Sequence, residues 1–212
     1  MTAGRFIVLE GVDGSGTTTQ CTLLAGRLRK DGAQVRTTRE PSDGPVGAII
    51  RQILTGRVVG AGGRAPAWTT MALLFAADRV DHVDSEIEPF LATGGVVISD
   101  RYDASSLGYQ SVSSGRGGEG AVEWIRTLNK QARRPDLTIV LDVSSETAAT
   151  RRAGRGDAAQ LYDQNELQRA LCAFYKDLKR HMPDDRVVIV DGSGAVSAVA
   201  DLVHQAYTSA FH

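Results

Sequence analysis

FIVLEGVDGSGTTTQ, residues Phe6 to Gln20, decides how the whole chain reads. Its first five residues form an apolar run that predicts a buried strand, and a glycine-rich turn follows. Thr17 to Lys30 then reads as a helix with Leu23, Leu24 and Leu28 on one face, ended by Asp31-Gly32. Strand, glycine loop and helix in this order are the context in which G-x-x-x-x-G-K-[ST] cradles phosphate. Gly11, Gly16 and Thr18 stand at the first glycine, the second glycine and the magnesium-binding hydroxyl. The N–H groups of Gly14, Ser15, Gly16, Thr17, Thr18 and Thr19 are the candidate phosphate donors, helped by the positive end of the helix. Position 17, however, is Thr where the pattern has lysine. That lysine reaches the β- and γ-phosphates, so its loss weakens an electrostatic contribution that is often the largest in catalysis. Arginines elsewhere could compensate in part.

Working outward, short apolar runs alternate with longer amphipathic stretches. AQVRTT (33–38), GVVISD (95–100), LTIVLDV (137–143) and RVVIVD (186–191) read as further strands. Helices are expected over 46–54, 68–91 with a bend near Pro89, 122–132, 144–152, 161–181 and 195–211. The strands do not alternate strictly, so both their faces are covered. The expectation is an α/β fold: a five-stranded parallel sheet with helices on both faces. Glycine-rich 56–63 and 113–120 read as loops within one domain, residues 1–212, and not as linkers.

With 24 Lys+Arg against 25 Asp+Glu, no large basic face for duplex nucleic acid is expected. Only four of the basic residues are lysines, a bias that would favour Arg at position 17 and does not explain Thr. Cys21 and Cys172 fall in expected helices without metal-ligand spacing. The start has no charged segment followed by a long apolar run, and no window approaches the roughly 20 apolar residues of a membrane span. These features predict a cytoplasmic protein without a membrane partner.

Several blocks, in order, resemble the thymidylate kinase family: FIVLEGVDGSG…TTQ, TTREPSDGPVGAIIRQIL, LLFAADRVDHV, VISDRYDASSLGYQ, RPDLTIVLDV and the RRAGRGD region. They cover most of the chain and depart from the family at Thr17. The resemblance implies a P-loop nucleoside monophosphate kinase fold, ATP and dTMP as substrates, Mg²⁺ as cofactor and a homodimer packed through helices. It places Asp13 on the deoxyribose 3′-hydroxyl, Arg39 near the monophosphate and Glu40 near the active centre. Phe75 and Arg79, four apart on one helical face, are implied to stack on and bond the thymine. Ser106, Tyr109 and Gln110 are implied thymine contacts, with Tyr109 excluding a ribose 2′-hydroxyl. Taken alone, Phe75 is more often core; for Arg39-Glu40 the alternative to a functional role is a surface ion pair.

Asp100 ends a strand where α/β proteins bind ligands and suits Mg²⁺ together with Thr18; Arg101 suits bridging phosphates with its planar fork. Arg151, Arg152 and Arg155 surround glycines in a segment, about 151–160, suited to a lid over ATP. The family divides by whether a catalytic arginine lies in the phosphate loop or in the lid; this loop has none, so the resemblance is to the lid type. Arg155 is the main catalytic candidate, Arg151 and Arg152 the next, and Asp163 a possible orienting residue. Asp191-Gly192-Ser193 is expected to border the adenine site. The reaction so implied is phosphoryl transfer from ATP to dTMP, with no essential general base because the acceptor is already a phosphate oxygen. The alternatives are a kinase of another nucleotide and a non-catalytic nucleotide-binding relative; Thr17 alone supports the latter.

Overall fold

The computed structural model describes residues 4–115, 119–154, 161–162 and 165–211. Five strands pair in parallel: β1 (Arg5–Gly11), β2 (Val35–Arg39), β3 (Val96–Asp100), β4 (Leu137–Asp142) and β5 (Val187–Asp191), in the order β2-β3-β1-β4-β5. β1, β3 and β4 are buried almost throughout, as their unbroken apolar runs predict. The helices are α1 (Thr17–Lys30), α2 (Pro45–Leu54), α3 (Trp68–His82), α4 (Glu88–Leu91) and α5 (Asp103–Ser113). They continue with α6 (Glu119–Leu128), α7 (Ser145–Ala153), α8 (Asn165–Lys176), α9 (Leu178–His181) and α10 (Val196–Phe211).

On one face of the sheet α1 and α10 cover Ile7, Leu9, Ile98 and Ile139 with Cys21, Leu24, Leu28, Val203 and Tyr207. On the other face Leu107, Ile125, Leu171 and Phe174 pack against Val140 and Val187. The buried stripe of α1 is Cys21, Leu24, Ala25 and Leu28, at helical spacing, so Leu23 turns outward and is 36% exposed. Its expected place on the buried face is corrected.

Other boundaries also move. The irregularity expected at Pro89 lies just before it, in a π turn over Val83–Ile87; Pro89 is the second residue of α4, directly after that turn. The single helix expected over 161–181 breaks at Asp177 into α8 and α9. The stretch expected over 122–132 is helical from Glu119 to Leu128. α5 runs through Ser113 at one edge of the glycine-rich 113–120 segment, while 56–63 carries only a short 3₁₀ turn, Ala61–Gly63.

The connections from β1 and β3 run to opposite sides of the sheet, which opens a crevice beyond the strand ends. Register aligns the ends: Leu9 and Arg39 both pair with Asp100, and Gly11 with Leu141. The glycine loop, Arg39 and the Asp100-Arg101 turn therefore meet at one place.

Candidate active site

The loop from Gly11 to Gly16 is shaped by left-handed backbone that only glycine adopts freely. Gly14 has φ +92°, and a Cβ there would lie 2.4 Å from the Ala148 carbonyl oxygen, so α7 packs directly on the loop. Gly16 caps α1 at φ 101°, turning the helix N-terminus toward the cleft. That cleft, about 270 Å³, is lined by Asp13, Gly14, Gly16, Thr17, Thr18 and Thr19 on the loop side. Arg39, Phe75, Arg79, Asp100 and Arg101 also line it, with Ser106, Tyr109 and Gln110 of α5. Most of the site residues read from the sequence are thus brought together. Gly11, Ser15 and Arg151 stand just behind the cleft, and Arg155 lies outside the described residues, as do Asp163 and most of the segment taken for a lid.

Thr18 Oγ1 donates to Asp100 Oδ2, and Asp100 Oδ1 is buried with no partner among the described residues. A hydroxyl and a carboxylate with a free lone pair at a phosphate loop fit Mg²⁺, which takes few protein ligands and completes its shell with phosphate and water.

Arg101 has φ 76°, unusual for a residue with a side chain, and its fork is held on several sides. Nη2 donates to Asp13 Oδ1 at 2.7 Å, and Nη1 to the Gly11 carbonyl and the Tyr175 hydroxyl. Tyr109 donates its hydroxyl to Asp13 Oδ2 at 2.9 Å, and burial followed by the Asp13 charge pushes the phenol above its ordinary range. Asp13 is therefore an oriented acceptor and not a free loop carboxylate.

Arg79, 1% exposed, donates through Nε and Nη2 to Glu40 Oε2 at 2.9 and 2.5 Å. It also bonds Asn129 Oδ1 at 2.5 Å and Ser106 Oγ at 3.1 Å, and one of its five N–H groups has no partner among the described residues. Arg39-Glu40 is thus not one surface pair: Glu40 is buried on Arg79, while Arg39 pairs with exposed Asp43 at 2.8 Å beside the cleft. Phe75 rests on the small core of Ile50, Ile53 and Met71 and also lines the cleft. Gln110 presents a buried Oε1 without a partner among the described residues.

Arg151, in the last turn of α7, donates to the carbonyls of Ser15 (3.1 Å) and Gly192 (3.0 Å); Arg152 donates to the Asp13 carbonyl at 2.5 Å. Asp191 Oδ1 accepts from the Ser193 N–H at 2.8 Å, shaping the turn after β5 against which Arg151 rests. Glu10, Ser105, Tyr162 and Tyr175 are residues of the site that were not singled out from the sequence. Glu10 Oε1 accepts from the N–H groups of Tyr102 and Ser105 at the start of α5, and Oε2 from the hydroxyls of Ser105 and Tyr175. Burial pushes its carboxyl up to about 7, against the pull of Arg101 and these donors. A charged residue inside the apolar run FIVLE was the available signal. Tyr175 and Tyr162, the latter packed 5.2 Å from Tyr109, carried none.

Fold and site together define a class: a phosphate-loop protein whose cleft continues from the loop to Phe75, Arg79 and Gln110, the layout of a nucleotide kinase. The thymidylate kinase family model matches residues 9–203. Similar proteins include the probable thymidylate kinase of Thermococcus onnurineus, 41% identical over 93% of this chain and 92% of that protein. The thymidylate kinase of Thermomicrobium roseum is 41% identical over 93% and 91%, and that of Alkalilimnicola ehrlichii 37% over 99% and 95%. The chain belongs to the thymidylate kinase family.

Proposed function

We propose that the chain transfers the γ-phosphoryl group of ATP to the 5′-phosphate of dTMP. The observation that carries this reading is the single cleft joining the phosphate loop to Phe75, Arg79, Tyr109 and Gln110. Loop N–H groups hold the donor phosphates. Thr18 and Asp100 would hold Mg²⁺, whose charge would neutralise the donor oxygens. Arg39 and Arg101 orient the acceptor phosphate, Arg101 from a position fixed by Asp13, Gly11 and Tyr175. Phe75 stacks on the base; Arg79 and the free Oε1 of Gln110 face an edge that offers both acceptor and N–H donor, as thymine does. Asp13 takes the 3′-hydroxyl, and Tyr109, held on Asp13, fills the space a 2′-hydroxyl needs. Arg151 borders the ATP end of the site through the turn after β5. Arg155 remains the candidate for charge developing between the phosphates.

The same reading includes a cytoplasmic protein acting on small nucleotides and a homodimer. Leu73 and Val80 on α3 and Ile49 on α2 are 52%, 38% and 49% exposed, an apolar strip suited to a second copy. No helix among the described residues is long and apolar enough to cross a membrane. The test is ADP formation with ATP and Mg²⁺ in the presence of dTMP, dUMP, dCMP or UMP. Turnover is expected with dTMP and is expected to fall most steeply with UMP, which carries the 2′-hydroxyl. Equal turnover with dTMP and UMP would remove Tyr109 and Asp13 from sugar selection.

A further inference from the structure

We propose that Arg151 and Arg152 deliver, from behind the phosphate loop, part of the charge that position 17 lacks. The inference rests on the phosphoryl-transfer reading above and deepens it. Alternate loop carbonyls each accept from a guanidinium: Gly11 from Arg101, Asp13 from Arg152 at 2.5 Å, Ser15 from Arg151 at 3.1 Å. The carbonyl of one residue and the N–H of the next are the two ends of one peptide dipole. A cation on the carbonyls of residues 11, 13 and 15 therefore polarises the N–H groups of Val12, Gly14 and Gly16. Gly14 and Gly16 line the cleft, while Arg151 and Arg152 do not. The donors facing phosphate are strengthened without a cation entering the cleft, which is the space a lysine at position 17 would occupy.

A second observation fixes the arrangement. α7 touches the loop at Gly14, where even a methyl group would lie 2.4 Å from the Ala148 carbonyl oxygen. Arg151 and Arg152 follow Ala148 by three and four residues, so the helix carries them over the loop's outer edge. The Ser144 hydroxyl accepts from the Thr147 N–H and caps the helix that holds them. Arg151 and Arg152 are positioning residues here: they act through the loop and touch no reacting atom.

The experiment is a double-mutant cycle of Arg152→Gln, and separately Arg151→Gln, with Thr17→Lys. Its readouts are kcat, KM for ATP, ATP affinity by calorimetry and thermal unfolding. In the Thr17 background Arg152→Gln is expected to lower kcat by about 10- to 100-fold, less than the roughly 100- to 1000-fold of losing a preorganised donor outright, because the N–H group itself remains. With Lys at 17 the same change is expected to cost less than about 3-fold, since the two sources of charge overlap. Equal losses in both backgrounds, or no loss in either, would overturn the proposal. If Arg152→Gln does not fold, Arg151→Gln carries the cycle alone, read by the same dependence on the residue at 17. If the unmodified chain shows no dTMP-dependent turnover, the functional reading fails, and ATP affinity decides this one. Background-dependent weakening by Arg152→Gln sustains it; equal weakening, or none, overturns it.

Discussion

Glu10 shows how much one residue settles. Its carboxyl is buried at the end of β1, and its folded value, about 7, lies above the ordinary 4.5. An acid raised in this way binds its proton more tightly in the folded than in the unfolded chain. Its contribution to stability is complete below pH 4.5 and is lost as pH rises through about 7, a change of roughly 3 kcal/mol. Glu10→Gln is expected to fold, because its Oε1 can keep the two backbone N–H groups while the Ser105 and Tyr175 hydroxyls turn to accept. The variant should flatten the fall in Tm between pH 5 and pH 7; an unchanged slope would place that titration elsewhere. Glu40 behaves differently. Removing its charge by Glu40→Gln leaves Arg79 buried without its counter-ion, and a loss of about 3–5 kcal/mol in denaturant unfolding is expected. A loss below about 1 kcal/mol would mean that Arg79 finds another anion or water. At this scale the sequence was half legible. Gly11, Thr18 and Asp100 followed from strand, loop and strand end. The Glu10–Tyr175 bond spans 165 residues, and no local pattern carries it.

Among the elements, α1 is found over the residues expected, because its glycine start and Asp31-Gly32 end are local signals. The π turn at Val83–Ile87 and the break at Asp177 were not legible, since each depends on what the helix packs against. The same holds for α7. Its sequence shows two arginines and a helix, yet its contact with Gly14 belongs to tertiary packing. Gly14→Ala is therefore expected to displace α7 or the loop. The left-handed backbone alone costs about 1–2 kcal/mol, and the 2.4 Å approach adds to it. Calorimetry should show ATP affinity falling together with Tm; retention of both would mean that loop and helix can separate without consequence.

Over the whole molecule, the five-stranded parallel sheet was legible from its strand-like runs, while the strand order β2-β3-β1-β4-β5 was not, because it is set by which faces the crossing helices cover. The proposed homodimer was implied by the family resemblance alone, because a buried and an exposed apolar stripe look alike in sequence. Leu73 at 52% exposure distinguishes them. Leu73→Glu is expected to shift the chain from dimer to monomer mass in sedimentation at micromolar concentration, while its Tm moves little. Monomer mass for the unmodified chain would remove the dimer from this account.

The account's central claim is that this molecule transfers phosphate without a loop lysine, because positioning and surrounding arginines carry the step. Steady-state ADP production with ATP, Mg²⁺ and dTMP, measured for the chain beside Thr17→Lys, tests it most directly. The prediction is dTMP-dependent turnover in the unmodified chain that Thr17→Lys changes by less than about 10-fold. An unmodified chain that binds dTMP yet turns over only after Thr17→Lys would contradict it.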